Sequence, residues 1–106
     1  MDDERFDAHR APEGHHPERP ERLEAARAGV RSGLGDGAPV AIAPRLVNEE
    51  EVRRVHAAGY LGGLREALAG GHGALDGDTY FCAGTGEATE LAAGGVVAMV
   101  ETLMTP

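Results

Sequence analysis

From Leu91 to Val100 the chain reads Leu-Ala-Ala-Gly-Gly-Val-Val-Ala-Met-Val, ten residues without a charge. Wound at 3.6 residues per turn, such a run is apolar on every face, and a helix of that kind must be enclosed by protein. It is too short to cross a bilayer, which takes about 20 apolar residues. Glu87 and Glu90 stand where the positive end of a helix favours carboxylates. The pattern predicts a helix over 86–104, and what covers it decides the rest of the fold.

The other segments offer little cover. Residues 1–19 are polar, rich in His, Pro and Glu, and without period, so they read as an arm or loop. Pro20 suits a first helical turn. Leu23, Ala26, Val30 and Leu34 then recur at helical spacing until Gly33, Gly35 and Gly37, which predicts a helix over 20–33. Val40 to Ala43 is a short apolar run between prolines and reads as a strand over 40–43. Asn48 and Glu51 have capping-box spacing. Val52, His56, Tyr60, Leu64 and Leu68 follow at intervals of four, predicting an amphipathic helix over 49–69. Residues 74–85 read as a loop turning at Asp76-Gly77-Asp78. One strand makes no sheet. The three elements cannot wrap an all-round apolar helix, so 106 residues here are one domain or part of one.

Charge narrows the function. Ten basic residues, all arginine, stand against 18 acidic ones, a net charge of −8. This argues against non-specific nucleic-acid binding and against a polybasic membrane patch. The single cysteine, Cys82, gives no internal disulfide and no cysteine-based zinc site. The acidic Met1-Asp2-Asp3-Glu4 start is unlike a signal peptide. The expectation is a cytoplasmic protein without nucleic-acid or membrane partners.

Several motifs are weaker than they look. His9, His15 and His16 suggest a metal, but adjacent histidines in an arm rarely close a site. Asp76, Asp78 and Glu87 fall at calcium-loop positions 1, 3 and 12, yet Tyr80 and Phe81 stand where an oxygen ligand and a glycine are needed. Gly84-Thr85-Gly86-Glu87 lacks the third glycine of a dinucleotide loop. His56, on its helix's apolar stripe, reads as a packed, hydrogen-bonded histidine. Cys82 has no neighbouring base in sequence.

In order along the chain, four segments resemble one family. His16-Pro17-Glu18-Arg19-Pro20-Glu21-Arg22-Leu23 is similar to the HPExPxRL segment that opens the zinc-dependent deacetylase domain. That domain is shared by histone deacetylases, bacterial histone-deacetylase-like amidohydrolases, acetoin-utilisation proteins and acetylpolyamine amidohydrolases. Val55-His56-x-x-x-Tyr60-Leu61 resembles the family's vHxxxYl helix. Leu75-Asp76-Gly77-Asp78-Thr79 resembles its lDxDT loop, and Glu87-Ala88 through Gly94-Gly95 resembles its eAAxxAAGg helix start. The likeness covers nearly the whole chain.

The resemblance implies an α/β fold: the N-terminal fragment of an arginase-like, three-layer parallel-sheet domain, here mostly helices with one or two short strands. It implies a parent enzyme that hydrolyses the acetamide of acetyl-lysine or acetylpolyamine substrates, on protein lysines or small molecules. There zinc polarises the carbonyl and activates a water, and a His pair moves protons. In the family the zinc ligands and that pair lie beyond the helix that ends this chain. The fragment is therefore expected to carry no catalytic residue, to bind no metal, to be inactive alone, and to have the remainder of the domain as its partner. Arg10 to His16 superficially resembles the family's catalytic RPPGHH segment, but it precedes HPERPERL, whereas that segment follows the Ala/Gly-rich helix. Residue by residue, Asp76 matches a rim aspartate that bonds the backbone of bound acyl-lysine, with Asp78 a weaker candidate. Arg22 matches an arginine lining an internal channel. His16, Pro17, Glu18 and Pro20 form the opening loop motif. The residues alone read as a turn aspartate and an i,i+4 ion pair of Glu18 with Arg22. A non-catalytic interaction module, burying helix 86–104 in a partner, is the alternative.

Overall fold

A computed structural model describes residues 1–11 and 16–105. The elements are a 3-10 helix Glu4–Ala8, α1 Glu21–Leu34, α2 Glu49–Arg53, α3 Ala58–Ala69, β1 Gly73–Ala74, β2 Tyr80–Phe81 and α4 Thr85–Met104. β1 and β2 pair antiparallel, with Gly73 opposite Phe81 and Ala74 opposite Tyr80.

Local chemistry accounts for most element ends. Inside the arm, Asp3 accepts from the Arg5 backbone N–H at 3.0 Å and starts the 3-10 helix, a turn too short to leave a period. α1 begins after Pro20 and ends at Gly35, whose φ of +55° is the left-handed backbone that glycine adopts freely. Asn48 and Glu51 form the reciprocal cap: Glu51 N–H donates to Asn48 Oδ1 at 3.0 Å, and Asn48 N–H to Glu51 Oε2 at 2.9 Å.

Arg45 adds two bonds to the Glu51 carboxylate, at 2.6 and 2.9 Å. These, followed by the Asn48 N–H, hold the Glu51 carboxyl at about 2, below its ordinary 4.5. A depressed carboxyl stabilises the fold fully above the unfolded value and loses that contribution as pH falls through the folded one. The stability gap between the parent chain and Glu51→Gln is expected to be largest above pH 4.5 and to shrink as pH drops toward 2. Urea midpoints at three pH values check this, and a gap of constant size contradicts it.

The structure departs from sequence expectation in several places: beside the 3-10 helix in the arm, the loop expected over 74–85 contains β2, which pairs with β1, and two further differences follow. The helix expected over 49–69 is two helices, parted at Arg54–Ala57. Ala57 is extended, with ψ of 146°. The redirected chain leaves Val55 78% exposed and seats Leu61 at 5%. A straight helix would commit Val52, His56 and Tyr60 to one stripe; the break lets the more apolar α3 face meet α4. His56 is accordingly exposed and stacks on exposed Tyr60, ring centroids 5.1 Å apart, instead of packing inside. The strand expected over 40–43 is irregular backbone, without a ladder among the described residues. Strand pairing requires a second chain segment to supply donors and acceptors, and apolarity alone does not.

Four hydrophobic residues are buried among those described: Leu61 of α3, Phe81 of β2, and Ala88 and Leu91 of α4. The body measures 45 × 38 × 18 Å with a radius of gyration of 15.7 Å. A compact domain of this length has about 13 Å. The thin slab leaves α4 covered on one side only: Ala88, Leu91, Gly94 and Gly95 face inward, while Val96 and Val100 are about half exposed and Leu103 is 81% exposed.

Candidate functional site

Hairpin β1–β2 and the residues at its tip form one wall of the site. Leu75 N–H donates to Thr79 C=O at 2.8 Å, closing the tip. Asp76 Oδ1 accepts from the Asp78 backbone N–H at 2.8 Å. That bond, then the Thr79 hydroxyl, draws the Asp76 carboxyl below its ordinary range. Asp76 thus shapes the turn, whereas the Asp78 side chain is 93% exposed. Strand alternation sends the two following residues to opposite sides. Phe81 goes inward, its ring so close over Gly73 that a Cβ there would lie 2.8 Å from Cζ.

Tyr80 goes to the other side and meets two histidines. His9 lies flat on its ring at 4.6 Å, with planes 7° apart, and His16 meets it edge-on at 4.7 Å. The Tyr80 hydroxyl donates to Glu18 C=O at 3.1 Å. Burial raises the Tyr80 phenol above its ordinary value. His16 Nδ1 accepts from the Glu18 N–H at 3.0 Å, and its Nε2 stands 3.6 Å from Asp78 Oδ1. The opening loop and the hairpin tip are therefore in contact.

Below them lies an open cleft of about 320 Å3, lined by Phe6, His9, Glu18, Pro20, Arg22 and Leu23 among others. Arg22 borders the cleft and is ion-paired with Glu18 one turn earlier, the i,i+4 pair that the residues alone suggest. Deeper toward α4, the Cys82 thiol donates to Ala8 C=O at 3.2 Å and accepts from the Arg10 N–H at 3.4 Å. Burial pushes this thiol up, but bonds from the Thr85 hydroxyl and from the backbone at Arg10, Gly84 and Thr85 outweigh it, and the net direction is down.

The structure brings Asp78, His16, Glu18 and Arg22 to one side of the chain. His15 lies outside the described residues. Among the described residues no three His, Cys, Asp or Glu side chains converge as a metal site. Among them, too, no helix is long and apolar enough to cross a membrane. Sequence reasoning missed Tyr80, Thr85 and the role of His9. The one signal available was an aromatic residue beside a turn, with histidines elsewhere in the chain.

The comparisons with known proteins agree with this architecture. The histone deacetylase domain matches residues 16–106. A crystal structure of the HDA15 HD domain is similar with a TM-score of 0.76 and 30% identity, over 88% of this chain and 28% of that one. No curated protein matches. The fold is thus a helix-rich portion of an α/β, arginase-like domain, and the chain spans little more than a quarter of the solved domain it resembles. It belongs to the histone deacetylase domain family. That family is generally zinc-dependent, and the donor set a zinc ion needs is not assembled by the described residues.

Proposed function

We propose that this chain is the N-terminal portion of a zinc-dependent deacetylase acting on acetyl-lysine or acetylpolyamine-type substrates, and that the metal ligands and proton-transferring histidines belong to the remainder of the domain. The observation that carries this reading is the uncovered apolar face of α4, Val96, Val100 and Leu103, in a chain spanning 28% of a solved deacetylase-family domain. A contiguous exposed apolar face marks a surface that meets another one.

In this reading the hairpin tip is the rim of the substrate pocket. Asp76 and Asp78 are its substrate-facing carboxylates, Asp76 with one oxygen committed to the turn and Asp78 93% exposed, with Oδ1 3.6 Å from His16 Nε2. Arg22 lines the channel behind, where a permanently charged guanidinium attracts a departing carboxylate. The His16-Pro17-Glu18 loop ties the rim to that channel.

The test is a deacetylase assay on the chain with added zinc, using an acetyl-lysine peptide and an acetylpolyamine, beside native mass spectrometry with zinc. The expected result is no turnover and no stoichiometric zinc. Turnover above background overturns the assignment of the reactive groups to the rest of the domain.

A further inference from the structure

We propose that the N-terminal arm is a strap that sets the position of the rim hairpin, and that His9 is its positioning residue. The arm lies before the family-matched segment, which begins at residue 16. It nonetheless grips the hairpin and the start of α4 at successive points. The His9 ring lies face to face on Tyr80, and its Nδ1 is 2.8 Å from the Thr85 hydroxyl. That hydroxyl also accepts the Cys82 N–H at 2.8 Å, so His9 reaches both ends of the segment joining β2 to α4. The Cys82 thiol bonds the arm backbone on either side of His9, at Ala8 and Arg10. Gly84 is closed against Ala8, where an added Cβ would come within 2.6 Å. The far end of the arm is held by Arg27, whose guanidinium bonds Asp2 at 2.8 Å and Asp7 at 3.2 Å.

Tyr80 follows Asp78 by two residues, so a ring fixed between His9 and His16 fixes where the rim carboxylates stand. Removing the His9 ring takes away one aromatic stack and one hydrogen bond together. The consequence for substrate binding rests on the rim assignment above. The positional claim does not, and the experiment reads position alone.

Amide hydrogen exchange on the full chain tests it. The reporters are Leu75 and Cys82, whose N–H groups bond within the hairpin and to Thr85; Val47, bonded to Glu90 C=O, is the control. His9→Ala is expected to speed exchange at Leu75 and Cys82 by about tenfold, the scale of one stack plus one hydrogen bond, and to leave Val47 unchanged. His9→Phe keeps the stack and is expected to restore part of the protection. In the unmutated chain, the His9 ring protons are expected to shift upfield over the Tyr80 face, and Tyr80→Leu to abolish that shift. Unchanged exchange at the hairpin, an equal rise at Val47, no protection in the parent chain, or no upfield shift each overturns the strap.

Discussion

Replacing Gly94 by alanine is expected to destabilise the chain by about 3 kcal/mol, although alanine is the better helix former. An exposed helical glycine loses roughly 1 kcal/mol to alanine in backbone entropy, so Gly→Ala inside a helix ordinarily stabilises. Gly94 is different because the extended segment Arg45–Val47 crosses α4 at that point. A Cβ would lie 2.1 Å from Arg45 O and 2.5 Å from Val47 N. Both atoms are backbone, so no rotamer change relieves the clash. The segment must move, and it takes with it the Val47 N–H bond to Glu90 C=O at 3.0 Å. Gly62, in α3, is the control: no atom stands within 4 Å of the point a methyl would occupy, and Gly62→Ala is expected to stabilise by about 0.5–1 kcal/mol. Urea midpoints of the two variants should move in opposite directions. A stabilising Gly94→Ala would show that the crossing does not hold in solution.

The other large effect belongs to Leu91. At 1% exposure it is the one large side chain fully enclosed among the described residues. Leu91→Ala is expected to cost about 3 kcal/mol, through lost transfer energy and the cavity left behind. With only three other hydrophobic residues buried among those described, that loss should unfold most of the free chain, read as collapse of the far-ultraviolet helical signal. Val96→Ala, on the half-exposed side of the same helix, should change the free chain by no more than about 0.5 kcal/mol. Equal effects at the two positions would mean that α4 is either enclosed all round or not packed at all, and both contradict the one-sided burial on which the proposed function rests.

The legibility of this chain follows interaction range. The Asn48–Glu51 cap, the Glu18–Arg22 pair and the Asp76 turn join residues two to four apart, and each is readable from spacing. The break between α2 and α3 is not. No local breaker marks Arg54–Ala57, and the gain that drives it, burial of Leu61 against α4, comes from a helix far along the sequence. The apolar run Val40–Ala43 shows the converse. Its composition suits a strand, but a ladder depends on a partner segment, and none among the described residues pairs with it.

The site divides in the same way. The opening loop, the Asp76–Asp78 turn and Arg22 stand in ordered motifs, so family membership is visible in the sequence. Neighbouring residues alone set the start of α1, the cap of α2 and the charge-free, apolar character of residues 91–100, because periodicity, caps and composition are local properties. The folded arrangement was needed to settle which side of α4 is enclosed, that Gly94 is a crossing point, and that His9 meets Thr85 across 76 positions beside the β1–β2 hairpin. Those contacts exist because the chain folds back on itself, and no spacing rule specifies which distant segments will then touch.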